Sequence, residues 1–233
     1  MAAAVSVPMT VQRIELGSGA ENRLTANGIH ALVEQVGRVL EGGQGLHFVP
    51  ANEGRFFCGG FDLKDLARQP RPAVRAAFAD FLTLGRQVFD TPLPVLAEAR
   101  GHAVGIGAML VMAADTVVMA PQAKLRFPEV TLGLALFDDT VAMIRHRLSG
   151  SMTERLVLHG KALTASQCHD LGLAQEISAK ALDGDALEQW RADAPDAGSR
   201  ALVKRLCRHG VLEGDTDAQL DRFMDGWDRS MQR

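Results

Sequence analysis

Residues 55–66 read RFFCGGFDLKDL, an apolar strand that stops at two glycines just before an acidic helix start. Glycine permits turns with positive φ and lets another group approach the backbone closely. The first turn of a helix leaves backbone N–H groups without partners at the positive end of the helix dipole. The stretch therefore predicts either an ordinary turn or a place where N–H groups point at a ligand.

A second stretch, residues 98–115, reads EARGHAVGIGAMLVMAAD and has the same order of strand end, glycines and helix. Two such helix starts facing each other would hold one oxygen atom between two N–H donors, which is an oxyanion hole. The sequence contains no GxGxxG, Walker or GxSxG motif that would favour another site. The spacing of these residues is also compatible with two ordinary glycine turns that bind no ligand.

Strand-like and helix-like segments alternate along most of the chain. Only helical patterns follow residue 184, and the polar segment DAPDAG divides them. We therefore expect an α/β core with largely parallel strands over residues 1–192, and a helical C-terminal segment over residues 193–233. Strands are predicted at 11–17, 45–50, 94–99, 116–120 and 173–178, and the main helices at 28–41, 72–90, 138–148, 151–159 and 163–172.

The composition argues against several classes of protein. The 233 residues carry a formal charge of −3 and no basic stripe, so we expect no nucleic-acid partner. The three cysteines are scattered, and the N-terminal stretch lacks the pattern of a signal peptide, which predicts a cytoplasmic protein with no membrane partner. The dispersed histidines predict no metal site.

Four blocks of the sequence, in order, resemble the crotonase superfamily, the enoyl-CoA hydratase/isomerase family. That resemblance implies a spiral of ββα units with a short helical C-terminal region used in trimerisation. It implies an acyl thioester as substrate, carried on coenzyme A or on the phosphopantetheine of an acyl carrier protein, with no separate cofactor. The blocks are RFFCGGFDLKDL, RGHAVGIGAMLVMAAD, LRFPEVTLGL and LVLHGKALTASQCHDLGLAQEI.

The resemblance also assigns residues to the site. By position, the backbone N–H groups of Phe61 and Ile106 match the two oxyanion donors of the family. Family members usually have glycine where Ile106 stands, but its N–H is still available. The residues expected around the substrate are Gly59, Gly60, Leu63, Gly105, Met109 and Leu132.

The number of catalytic carboxylates distinguishes between the possible reactions. Hydratases of the family use two glutamates, whereas this chain keeps Glu129 and has Met109 at the other position. One base is enough to move a double bond, because it can take a proton from C2 and return it at C4. We therefore expect conversion of a 3-enoyl to a 2-enoyl thioester, with a Glu129 pKa raised by an apolar Met109 wall.

Three further expectations remain open on the sequence. Asp138 follows Glu129 by nine residues and is either a second catalytic acid or the N-cap of a helix. The reaction could instead be hydration or decarboxylation of an unusual acyl thioester, or the protein could bind thioesters without catalysis. The resemblance implies a homotrimer or a hexamer.

Overall fold

The computed structural model describes residues 10–192 and 196–230, whose strands lie in two sheets. The strands are β1 (Val11–Leu16), β2 (Gly45–Pro50), β3 (Phe56–Cys58), β4 (Val95–Ala99), β5 (His102–Val104), β6 (Thr116–Met119), β7 (Lys124–Arg126), β8 (Leu163–Thr164) and β9 (Glu176–Ile177). One sheet has the order β1-β2-β4-β6-β9 and the other β3-β5-β7-β8. Every pair of neighbouring strands is parallel except β7 with β8, so the largely parallel pairing is confirmed.

Helices connect these strands and form the C-terminal part of the fold. They are α1 (Ala26–Glu41), α2 (Leu63–Leu66), α3 (Arg71–Asp90), α4 (Ile106–Ala113), α5 (Asp138–Arg147), α6 (Gly150–His159), α7 (Ala165–Asp170), α8 (Gly184–Ala192), α9 (Ala197–Arg208) and α10 (Thr216–Ser230). A 3-10 helix spans Glu129–Leu132.

From β2 to β7, successive strands alternate between the two sheets, which produces the expected ββα units. The first unit is β2 and β3 followed by α2 and α3, and the second is β4 and β5 followed by α4. The third is β6 and β7 followed by the 3-10 helix and α5. The predicted spiral of ββα units is therefore confirmed.

Two helices illustrate how the sequence forms these elements. Helix α1 begins where the Thr25 side chain caps the N–H of Gly28, and its apolar face buries Ile29 and Leu32 as the periodicity predicts. Helix α4 is buried at all eight of its positions. An apolar helix without a polar face fits only inside a core, and α4 packs against β5, α3 and α5.

The short elements of the fold were harder to predict. Helix α2 has Asp62 as its N-cap, because the Asp62 carboxylate accepts hydrogen bonds from the N–H groups of Lys64 (3.0 Å) and Asp65 (3.2 Å). The strands β7 and β8 and the 3-10 helix were not predicted. Elements of two to four residues are too short to display a periodic pattern.

The C-terminal helices are attached to the core by charge and by aromatic packing. The carboxylate of Asp115 pairs with Lys204 (2.9 Å) and Arg208 (2.9 Å) of α9. Phe223 and Trp227 of α10 are buried. Residues 1–9, where no signal peptide is expected, lie outside the described residues, as does part of the expected division at 193–198.

Candidate active site

A cavity of about 250 Å³ lies where the two glycine turns meet the 3-10 helix. Its wall is mainly apolar, and among its lining residues Glu129 is the one acid and Arg23 the one base. Five phenylalanines contribute to this wall: Phe61, Phe78, Phe81, Phe137 and Phe223.

The first turn runs from Gly60 to Phe61. Gly60 has a φ of +83°, and a Cβ at this position would lie 3.1 Å from the carbonyl oxygen of Val104, so glycine is required. Phe61 forms a parallel bridge with Leu24, through hydrogen bonds from Leu24 N to Gly60 O and from Asp62 N to Leu24 O. These bonds use the neighbouring peptide groups, so the N–H of Phe61 points away from Leu24.

The second turn runs from Gly105 to Ile106, the first residue of α4. Gly105 has a φ of +54°, and Ile106 is 1% exposed. The first N–H groups of a helix have no acceptor within that helix, and the helix dipole makes them favourable partners for negative charge. A Cβ placed on Gly105 would lie 3.8 Å from the Cα of Gly60, so the two turns approach each other closely.

Glu129 is the first residue of the 3-10 helix, and its carboxylate lies beside Gly105 of the second glycine turn. A Cβ on Gly105 would lie 3.6 Å from its Oε1 atom. Its Oε2 atom is buried, and the described residues supply no hydrogen-bond partner for it. Burial raises the pKa of the Glu129 carboxyl to about 7, while the charge of Arg126 acts in the opposite direction. Such a carboxyl can exchange a proton near neutral pH.

Local hydrogen bonds hold the 3-10 helix in this position. Arg126 Nε donates to the carbonyl of Gly160 (2.9 Å), and Thr131 Oγ1 donates to the carbonyl of Pro128 (2.6 Å). The helix ends at Gly133, which has a φ of +74°. The backbone that carries Glu129 is therefore fixed at both ends.

The cavity includes most of the residues predicted to surround a substrate. Gly59, Gly60, Leu63, Gly105 and Leu132 line it, as do Phe61, Ile106 and Glu129. Met109 does not line it. Its side chain packs into the core towards α3, with Sδ 3.3 Å from the position of a Cβ on Gly85. The phenylalanines and leucines of the cavity form the apolar wall instead.

Asp138 lies outside the cavity lining. It is the first residue of α5, its side chain is 58% exposed, and it forms an ion pair with Arg222. The expectation that it caps the helix is wrong, because the N-cap position is Phe137 and no side chain accepts a hydrogen bond there. An exposed, ion-paired carboxylate has no contact with the cavity around Glu129.

Several contributors to the site were not identified from the sequence, and Phe223 and Asn22 illustrate why. Phe223 comes from α10, far along the chain from both glycine turns, and no local pattern signals such a contact. Asn22 is fully buried and contacts β3, the strand that leads into the first turn. Its amide donates to the carbonyls of Asn52 (2.8 Å) and Phe56 (2.7 Å). Its φ of +47°, rare outside glycine, also marks a constrained position.

Over residues 10–192 and 196–230, no group of three or more His, Cys, Asp or Glu side chains is arranged to hold a metal ion. No helix in that part of the chain is long and apolar enough to cross a membrane.

Sequence comparison finds related proteins among enzymes that act on CoA thioesters. The chain is 31% identical over 123 residues to carnitinyl-CoA dehydratase from Proteus mirabilis, covering 53% of this chain and 47% of that protein. It is 31% identical over 168 residues to a putative enoyl-CoA hydratase from Thermus thermophilus, and the match covers 70% of this chain and 65% of that protein. The first of these matches thus spans about half the length of its relative.

Structure comparison and a family model extend the match over most of the chain. An enoyl-CoA hydratase/isomerase from Mycobacterium paratuberculosis superposes with a TM-score of 0.82 at 20% identity, covering 95% of this chain and 94% of that one. At this identity the likeness establishes the fold alone. The model for enoyl-CoA hydratase/isomerase matches residues 10–211. This protein therefore belongs to the enoyl-CoA hydratase/isomerase family, within the crotonase superfamily.

Proposed function

We propose that this protein is an enoyl thioester isomerase that converts a 3-enoyl to a 2-enoyl thioester. The observation that carries the proposal is a single carboxyl, Glu129, with a buried Oε2 atom, in a mainly apolar cavity beside two glycine turns. The names of two relatives, carnitinyl-CoA dehydratase and 2,3-dehydroadipyl-CoA hydratase, support coenzyme A as the carrier.

In this mechanism the thioester carbonyl oxygen accepts hydrogen bonds from the N–H groups of Phe61 and Ile106. The Glu129 carboxylate takes a proton from C2, and the electron pair moves onto the carbonyl oxygen to give a dienolate. The two N–H donors stabilise the negative charge on that oxygen. The protonated Glu129 then returns the proton at C4, so that the double bond lies between C2 and C3 and the base is regenerated.

The number of carboxylates favours isomerisation over hydration. Adding water across a 2-enoyl thioester needs a water molecule that is both positioned and deprotonated, a task that two carboxylates share in hydratases of this family. The described lining of the cavity offers Glu129 alone, among phenylalanine and leucine side chains. An apolar wall favours the acyl chain and excludes water, which suits a proton transfer within the substrate.

The proposal can be tested by turnover of a mixed panel of 3-enoyl, 2-enoyl and carboxyacyl CoA thioesters, followed by mass spectrometry and chromatography. The purified protein should convert 3-enoyl thioesters, and Glu129→Gln should reduce that rate by at least about 10²-fold, as loss of an essential base does. The control is Asp138→Asn, an exposed acid outside the cavity, which should retain wild-type activity.

Other outcomes of this experiment would reject isomerisation. Water addition to the 2-enoyl thioester, or loss of carbon dioxide from the carboxyacyl thioester, would indicate a hydratase or a decarboxylase. Thioester binding with no turnover of any member would indicate a non-catalytic protein of this fold. Full isomerase activity in Glu129→Gln would remove that residue from the mechanism.

We also propose that α9 packs against another copy of this chain, in a trimer or a pair of trimers. Leu202 is 57% exposed, Val203 56% and Leu206 69%, on neighbouring turns of α9. A group of large exposed apolar side chains on one helix is typical of an interaction surface. The resemblance to the family supports assembly through the C-terminal region.

A further inference from the structure

Cys58 is the last residue of β3 and precedes Gly60 of the first glycine turn by two residues. It is fully buried, and in the register of the small sheet it pairs with Ala103 of β5. The contact with α4 is also close, because a Cβ on Gly107 would lie 2.8 Å from both the Cβ and the carbonyl oxygen of Cys58. Cys58 therefore touches the segments that carry both turns.

The backbone N–H groups of Gly60 and Gly107 are directed at the sulfur atom of Cys58, where both act to lower the pKa of its thiol. Gly60 directly precedes Phe61, and Gly107 directly follows Ile106. Each N–H directed at the sulfur is thus one residue away from an N–H assigned to the thioester oxygen. A single side chain connects the two halves of the proposed oxyanion hole.

This connection has a physical consequence at both turns. Gly60, with a φ of +83°, lacks a side chain to restrict its rotation, so an acceptor for its N–H fixes the peptide plane that leads into Phe61. At the start of α4 the N–H of Gly107 has no acceptor within the helix, and the sulfur supplies one. Hydrogen bonds to both sides fix the separation of the two turns.

We propose that Cys58 is a positioning residue that sets the spacing and direction of the Phe61 and Ile106 N–H groups. The proposal rests on the proposed function, in which those two groups bind the thioester oxygen. Cys58 acts through the turns and does not touch the substrate, since it is absent from the lining of the cavity. Displacing a donor by about 1 Å can cost about 10²-fold in rate.

A role as nucleophile does not fit the same surroundings. Burial raises the pKa of the Cys58 thiol to about 11, although the two backbone N–H groups act in the opposite direction. The thiol is therefore protonated at neutral pH, and the thiolate is the reactive form of cysteine. A neutral sulfur can still accept hydrogen bonds.

The test compares variants that keep an acceptor with variants that remove it. Cys58→Ser retains an acceptor oxygen, Cys58→Ala removes it, and Cys58→Val removes it while filling more of the space. Cys168 supplies matched controls, Cys168→Ser and Cys168→Ala. It is also fully buried, and its thiol pKa is raised by burial alone. Thermal unfolding of every variant ensures that all measurements use folded protein.

Two readouts are measured. The first is kcat and KM for the 3-enoyl thioester. We expect Cys58→Ala and Cys58→Val to lower kcat by about 10-fold to 100-fold with little change in KM, and Cys58→Ser to recover most of the loss. The Cys168 variants should lose thermal stability but keep kcat.

The second readout is the infrared stretching frequency of an isotopically labelled thioester carbonyl in a bound, unreactive acyl-CoA. Hydrogen bonds from both donors lower this frequency, so Cys58→Ala and Cys58→Val should shift it back towards its value in water. This readout needs no turnover. If the wild-type protein has no isomerase activity, the proposed reaction is rejected, but the carbonyl frequency still tests the role of Cys58. Wild-type frequency and kcat in both acceptor-free variants would overturn the proposal, as would equal losses in the Cys58 and Cys168 variants.

Discussion

Glu129 combines an ionisable side chain with buried, apolar surroundings, and the cost of burying its charge determines when it can act as a base. Desolvation raises its pKa to about 7, and the nearby charge of Arg126 limits the increase. An unpartnered carboxylate oxygen inside an apolar cavity is unfavourable for stability, which is typical of a group retained for function.

The titration of Glu129 predicts the pH dependence of the reaction. The base must be deprotonated to accept the C2 proton, and the fraction of carboxylate increases as the pH rises through about 7. We therefore expect kcat/KM to rise about tenfold per pH unit below pH 7 and to level off above it. A profile measured from pH 5 to pH 9 checks this. An activity that falls as the pH rises through 7 would contradict a carboxylate base.

At the scale of elements, the sequence predicted the long, periodic segments well. Helices α1 and α3 and strands β1 and β2 carry clear apolar periodicity or short apolar runs between breakers, and they form within one or two residues of the predicted bounds. The two glycine turns were also predictable, because only glycine tolerates the positive φ and the close approach found at Gly60 and Gly105.

The errors at this scale come from tertiary contacts. Met109 was expected in the substrate cavity by its position in the family pattern, but α4 is buried on every side and this side chain is turned towards α3. Asp138 was expected as a cap or as a catalytic acid; it does not cap α5, because Phe137 occupies the N-cap position, and its carboxylate pairs with Arg222 of the distant helix α10. Phe223 reaches the cavity from the same helix, and no local pattern could reveal that.

At the scale of the whole molecule, the exposed apolar side chains of α9 indicate assembly. Replacing Leu206 by Glu places a charge on the proposed interface, where it would lose its hydration. We expect the wild-type protein to have the mass of a trimer or hexamer in light scattering, and Leu206→Glu to dissociate into smaller species.

The control for assembly is Leu158→Glu, which changes a leucine of similar exposure (60%) on α6. It should leave the mass unchanged. A monomeric wild-type protein would contradict assembly through α9, and so would a Leu206→Glu variant with the wild-type mass.

In the proposed reaction, Glu129 carries one proton from C2 to C4 of a 3-enoyl thioester. The most direct measurement uses a substrate deuterated at C2 and follows the label by mass spectrometry and nuclear magnetic resonance. We predict a 2-enoyl product with part of the deuterium at C4, because the apolar cavity limits exchange with solvent while the acid form of Glu129 holds the label. Glu129→Gln should form no such product. Isomerisation that continues in Glu129→Gln, or a wild-type protein that forms no 2-enoyl product, would contradict the account.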